Sequence, residues 1–250
     1  MPGITPAPGS PTSAVSITDM NKYLAHCISS LLQPMKRNGA PLRSFSQGDM
    51  VASVCPDPSL KLLELRAAPF QPNPTANVTV TWRSLAENLL STAPRYDADG
   101  RMIVTLSGQL IARGDTDGSF IRDAAAIRTR LREVYTNPAW QPFPWDCLTC
   151  SDAAFPAHNI NNSLTVLANR SNHAAWLRGA CTKAQHMTDV GAYMHWYEQY
   201  GFHREDIDDC LESCREIVRA YEQAVAPPQP SVMSQQQPVG TLERLASSRR

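Results

Sequence analysis

The sequence predicts a mainly α-helical protein: one helical-bundle body with little β structure, carrying disordered N- and C-terminal arms. Three observations point there. Apolar residues recur at helical spacing in two long segments, 120–135 and 203–225. Strictly alternating, β-branched runs are short and few. Both ends of the chain are rich in Pro, Ser, Gly and Gln and poor in core-forming residues, which cannot offset the entropy of ordering. The expected organisation is a flexible arm over 1–16, a helical body over 17–226 and a flexible tail over 227–250.

Within the body, Ile17 to Met35 reads as a helix capped by Thr18 or Asp19, with Tyr23, Cys27 and Leu31 four residues apart. Residues 40–76 are Pro-rich and mixed in pattern. Leu60 to Leu65 is ambiguous between strand and helix. Val78 to Trp82 alternates and suggests a short strand or extended lead-in. Ser84 to Thr92 reads as a short helix stopped before Pro94, and Asp97-Ala-Asp-Gly100 as a turn. Met102 to Ala112 is expected to be helical, although Val104 and Thr105 weaken the pattern. A Gly-Asp-Thr-Asp-Gly-Ser loop at 114–119 leads into the helix from Phe120 to Tyr135. Three prolines make 137–145 an extended, aromatic connector, with Trp140, Phe143 and Trp145 expected on the chain's own core. Residues 162–178 and 180–200 suggest two more helices. His203 to Val225 is the longest, with acidic first turns that suit the helix dipole.

Composition limits the function. The 23 Lys and Arg balance the 23 Asp and Glu, so a globally basic nucleic-acid binder is not expected, while a local basic patch is allowed. No run has the ~20 apolar residues of a membrane helix, and no signal peptide is recognisable. An odd count of 7 cysteines without an export signal reads as reduced thiols inside a cell.

Cys147-x-x-Cys150 has zinc-ligand spacing, and His158, His173, His186 or Cys181 stand as candidates to complete it; the weightier reading is that 147–150 is a loop and that Cys210 and Cys214 are core or near-core thiols. Asp97 and Asp115 start loops that resemble pieces of a calcium site but lack the closing Glu. No GxSxG, HExxH or phosphate-loop motif is present. No cofactor, no metal and no enzymatic activity are expected.

The basic residues are almost all Arg. Arg122, Arg128, Arg130 and Arg132 lie off the apolar stripe of the 120–135 helix, and Arg178 stands near Trp176 on a later one. Arg128 and Arg132 share a face. Two readings remain for these five: phosphate contacts to single-stranded RNA, or a solvated face paired with acidic neighbours.

The layout resembles the coat proteins of flexible filamentous plant viruses. The resemblance rests on the two flexible arms, the helical body, the 114–119 loop and the Arg-bearing helix running through Tyr135 to the Pro/Trp strip. It implies a structural capsid or nucleocapsid protein that self-assembles, as a filament, and binds genomic single-stranded RNA. Location in the virion and host cytoplasm, with no membrane partner, follows. The alternative is a non-enzymatic helical interaction or regulatory protein, an effector or viral accessory factor with Pro-rich docking tails.

Overall fold

A computed structural model describes residues 16–34, 46–55, 57–69, 80–141, 144–152 and 161–226. The expected arms lie outside these residues except for Ser16, as do Val78, Phe143 and His158.

The predicted helical bundle is not what forms. A four-stranded mixed sheet organises the chain, in the order β1-β4-β2-β3. The elements are α1 (Ile17–Leu32), α2 (Gln47–Val54), β1 (Leu63–Ala68), α3 (Trp82–Ser91), β2 (Thr105–Arg113), α4 (Ser119–Val134), β3 (Trp145–Cys150), β4 (Ser163–Arg170), α5 (Asn172–Asp189), α6 (Met194–Gln199) and α7 (Arg204–Val225). β4 pairs antiparallel with both β1 and β2, and β2 pairs parallel with β3. A parallel pair needs a crossover, and α4 supplies it.

Two helices expected from sequence are strands. Met102 to Ala112 covers all of β2 but its last residue, and 162–178 contains β4 followed by the start of α5. Both strands are central, and every residue in each is buried. A strand covered on both faces loses the apolar/polar alternation that marks half-buried strands. In β2 the remaining apolar spacing, Leu106 to Leu110, then mimics a helical period. The ambiguous Leu60–Leu65 run resolves as the entry to β1. The helices at 17–35, 84–92, 120–135 and 203–225 correspond to α1, α3, α4 and α7.

Local chemistry explains the helix starts. Thr81 accepts from the Ser84 N–H at 3.2 Å and caps α3. Asp115 accepts from the Phe120 N–H at 3.1 Å and closes the first turn of α4. His203 and Asp206 form a capping box at α7. Glycine is required where β2 meets its neighbours: a Cβ on Gly108 would stand 2.5 Å from the Trp145 ring. Gly114 takes φ +89°, and a Cβ there would stand 1.6 Å from the Asn161 carbonyl oxygen.

The two sheet faces differ. One is apolar: Ala68, Leu110, Ala112, Leu164, Val166 and Ala168 meet α3 and α4 through Leu85, Leu89, Ile127 and Leu131. Trp82 and Phe120 pack edge to face at 5.3 Å between those helices. The other face is stitched by hydrogen bonds. Ser107 donates to the Val54 carbonyl at 2.6 Å, Asn169 to the Val54 and Leu60 carbonyls at 3.0 and 2.6 Å, and Thr165 to Ser30 at 3.0 Å.

Arg113 is fully buried on that face. It donates to the carbonyls of Ser30 and Gln33 at 2.8 and 2.5 Å and to Pro34 at 3.3 Å. A cation there satisfies the unpaired carbonyls that end α1 and meets the negative end of its dipole. Burial lowers the Arg113 pKa. At the far end of the sheet, Arg170 pairs with Glu64 at 2.9 Å, donates to the Pro94 carbonyl at 2.7 Å and lies over the Tyr135 ring at 4.5 Å.

The Cys-x-x-Cys motif belongs to β3 rather than to a loop. Residues three apart on a strand point to opposite faces. Cys147 accordingly packs toward the α3/α4 core and Cys150 into the cluster with Met50 and Ile111. The two thiols cannot converge on one ion from this strand.

Candidate protein-interaction surface

Beyond β4 the chain forms an α5–α7 hairpin that joins the end of the sheet through Tyr221, whose hydroxyl donates to Asn169 Oδ1 at 2.6 Å. The connection between α5 and α7 carries the surface of interest. α5 ends with the Val190 N–H on the His186 carbonyl, and Gly191 turns at φ 67°. Tyr193 follows at φ 62°, the one non-glycine residue with positive φ among the described residues. A tyrosine in the left-handed region costs roughly 1–2 kcal/mol, and such strain clusters at functional segments. α6 then runs for 6 residues with none buried. Gly201 at φ 81° and the Phe202 N–H on the Tyr197 carbonyl at 3.0 Å close it.

Trp196 and Tyr197 lie on α6, and Tyr193 and Tyr200 stand at its N- and C-caps. They are 62%, 52%, 52% and 77% exposed, and Phe202 beside them is 56% exposed. Met187 and Val190 at the end of α5 are also exposed. Five aromatic side chains in ten residues, left to solvent on and around a short helix fixed at both ends, are an apolar patch of the kind that marks a docking surface. The segment 187–209 is also acidic. Asp189, Glu198, Glu205, Asp206, Asp208 and Asp209 accompany the one basic residue, Arg204, which pairs with Asp189 at 3.3 Å.

Sequence reasoning missed this face. The 193/196/197/200 stripe was visible, but an aromatic stripe at helical spacing reads equally as core.

The five arginines expected to hold RNA take separate positions. Arg122 lies 3.6 Å from Asp117. Arg128 reaches Cys147 Sγ at 3.5 Å. Arg130 is clamped between Glu87 at 3.0 Å and Glu133. Arg132 is exposed on the last turn of α4. Arg178, on α5, pairs with Asp99 at 2.8 Å and with Glu222. Four therefore remain on α4 and the fifth joins a different ion-pair group. A groove between α5 and α7 of about 570 Å³ is lined by Arg178, Gln185, His186, Arg215 and Arg219. Its three arginines are paired with Asp99, Glu222 and Glu212, so the groove is charge-balanced. Among the described residues no group of three or more His, Cys, Asp or Glu is placed to hold a metal ion. No described helix is long and apolar enough to cross a membrane.

Comparison with known proteins gives a different relationship from the plant-virus coat resemblance. The chain is 24% identical to the tubulin delta chain of Homo sapiens over 242 aligned positions, covering 83% of this chain and 51% of that protein. The tubulin delta chains of Macaca fascicularis and Mus musculus match over the same share of this chain, at 24% and 22% identity. The chain spans about half the length of these curated relatives. No family model matches it.

These relatives overturn the coat-protein reading, with its capsid, virion and viral nucleoprotein assignments, and give no support to the viral accessory alternative. The resemblance had rested on organisation: flexible arms around a helical body. The mixed sheet removes the helical body, and the arms are a feature that many unrelated proteins share.

Proposed function

We propose that this chain is a cytoskeletal, tubulin-like assembly module, working inside the cell by docking onto tubulin-type chains. The single observation that carries the reading is the aromatic face of α6. It is exposed, strained into place at Tyr193 and bordered by the acidic start of α7. The similarity to tubulin delta chains over 83% of this chain supplies the class of partner. Rigid aromatic side chains give large buried area at low entropic cost, which suits them to anchor an interface. The acidic border favours a partner surface carrying Lys or Arg, through salt-sensitive steering. The reading gives the described residues an associative role and assigns them no catalytic step.

The test is sedimentation of the full chain with purified αβ-tubulin, both unassembled and polymerised. Association is expected, weakening as salt rises. It should drop at least tenfold for Trp196→Ala combined with Tyr200→Ala, with the circular-dichroism spectrum unchanged. A wild-type chain that binds neither form of tubulin overturns the proposal.

A further inference from the structure

α5 and α7 run antiparallel. As residue numbers rise on α5 they fall on α7, through the pairs Arg178–Glu222, Gln185–Arg215 and Asp189–Arg204. Beneath these polar pairs lies a seam. Ala174, Cys181 and Thr188 are the buried residues of α5, seven apart. Tyr221, Cys214 and Ile207 on α7 are also seven apart, Tyr221 buried and the other two half-buried. Seven residues are close to two helical turns, so each set keeps to one face of its helix. Ala174 and Tyr221 belong to one apolar cluster. Seven residues forward on α5 and seven back on α7 from that level bring Cys181 opposite Cys214.

The side chains follow this register, and the two thiols share a side-chain hydrogen bond. Burial, then the charge of Cys214 and this hydrogen bond, pushes the Cys181 thiol up, with Arg215 opposing. Cys181 is therefore the thiol that keeps its proton while Cys214 is approached. Other cysteines have different neighbours. Cys27 meets Tyr23, Cys147 meets the Arg128 guanidinium, and Cys150 lies in the cluster with Met50 and Ile111.

Thiols in a closed seam serve as small packing residues. This seam is open: the groove of about 570 Å³ between α5 and α7 reaches Cys181, with Arg178, Arg215, Arg219 and Asp189 around it. Its balanced guanidinium and carboxylate groups suit a zwitterionic molecule. A thiol in contact with a second thiol, at a groove of this chemistry, is placed for thiol–disulfide exchange.

We infer that Cys181 and Cys214 form a redox site, which exchanges with a small zwitterionic disulfide and closes into a disulfide bond between α5 and α7. The Cys214 thiolate attacks one sulfur of the small disulfide, forming a mixed disulfide and releasing one thiolate. Cys181 gives its proton to that thiolate, attacks the Cys214 sulfur and expels the second thiolate, which takes up the proton shed by Cys214. Two protein thiols are oxidised and one small disulfide is reduced to two thiols. The bond needs Cα atoms roughly 4.4–6.8 Å apart. Helices about 8–10 Å apart, each with Cα atoms about 2.3 Å from its axis, bring facing positions within that span. The bridge closes residues 182–213 into a loop that includes all of α6, and so fixes the frame on which its aromatic residues stand. The site uses α5 and α7 alone and does not rest on the docking reading.

The test incubates the full chain with glutathione disulfide, blocks remaining thiols with N-ethylmaleimide and digests with trypsin for mass spectrometry. Cleavage after Arg178, Lys183, Arg204 and Arg215 releases residues 179–183 and 205–215. The expected product joins these two peptides of one chain through Cys181 and Cys214, leaves the exposed Cys210 outside the bond, and is reversed by dithiothreitol. Cys210→Ser should form the same bond. Its thermal midpoint should rise by roughly 5–10 °C on oxidation, the effect of closing a loop of about 30 residues. Cys181→Ala and Cys214→Ala, each in that background and each with an unchanged circular-dichroism spectrum when reduced, should show no rise.

Glutathione retained on Cys214 without the bond to Cys181 overturns the inference. A Cys210–Cys214 bond in the wild type, or a bond between separate chains, overturns it too. A Cys181–Cys214 bond that leaves the midpoint unchanged would show that the bond forms only in opened chains, and overturns it as well.

Discussion

In the sheet unit, Trp82 and Phe120 are each 2% exposed and meet edge to face; on the α5–α7 hairpin, Trp196 is 52% and Tyr200 77% exposed. Both regions place aromatic residues on helices. In the first, the facing layer exists, so the rings become core. In the second, α6 stands clear of every layer, so the rings become surface. Exposed rings at this density are a stability cost that a monomer has no use for, and their retention is what directs attention to a partner.

The contrast can be broken at its strongest point first. Leu85 is fully buried against the apolar sheet face. Leu85→Ala should cost about 2–5 kcal/mol, read as a shifted midpoint in urea or thermal denaturation. A cost near zero would mean that the α3/α4 layer is not the core of this unit.

A smaller loss, confined to acid pH, should come from His173 at the start of α5. Burial holds its pKa below the usual 6.5, with Glu64 opposing the shift and Arg170 adding to it. A histidine kept neutral in the fold binds fewer protons than its unfolded counterpart. Its contribution is therefore complete above pH 6.5 and is lost as pH falls below that value. Thermal melts of wild type and His173→Gln between pH 7.5 and 5 should converge toward acid. Parallel curves would remove His173 from the acid response.

The smallest effect belongs to the aromatic face. Trp196→Ala or Tyr200→Ala should each change stability by no more than about 0.5 kcal/mol, while weakening the association that the face is proposed to make. A single variant there costing as much as Leu85→Ala would show the ring to be packed in solution, and would remove α6 as a docking surface.

The arginines repeat the lesson of the two regions. Arg113 and Arg170 are fully buried, and both sit at strand ends where a helix terminus or a carboxylate needs a cation. Arg122, Arg128, Arg130 and Arg132 were singled out in the sequence, with Arg178 on a later helix, because an exposed helix face displays its charges at a recognisable spacing. Nothing in the one-dimensional pattern separates a buried arginine at the end of a strand from a solvated one in a loop. The same holds for Cys147 and Cys150, whose spacing read as a loop with zinc as the lesser reading, and which a strand places on opposite faces of the sheet.

What the sequence determined by itself is the set of elements whose two sides see different environments. α1, α3, α4 and α7 carry stripes, caps or acidic first turns that are local in the chain, and the turn at Asp97–Gly100 follows from Asp and Gly alone. Tertiary structure decided the rest. β2 and β4 are strands because neighbours cover both their faces, and that erases the alternation by which a strand is read. Whether the stripe on α6 is core or surface depends on which layer packs against it. A stripe records that a face is apolar; only packing determines what, if anything, lies against it.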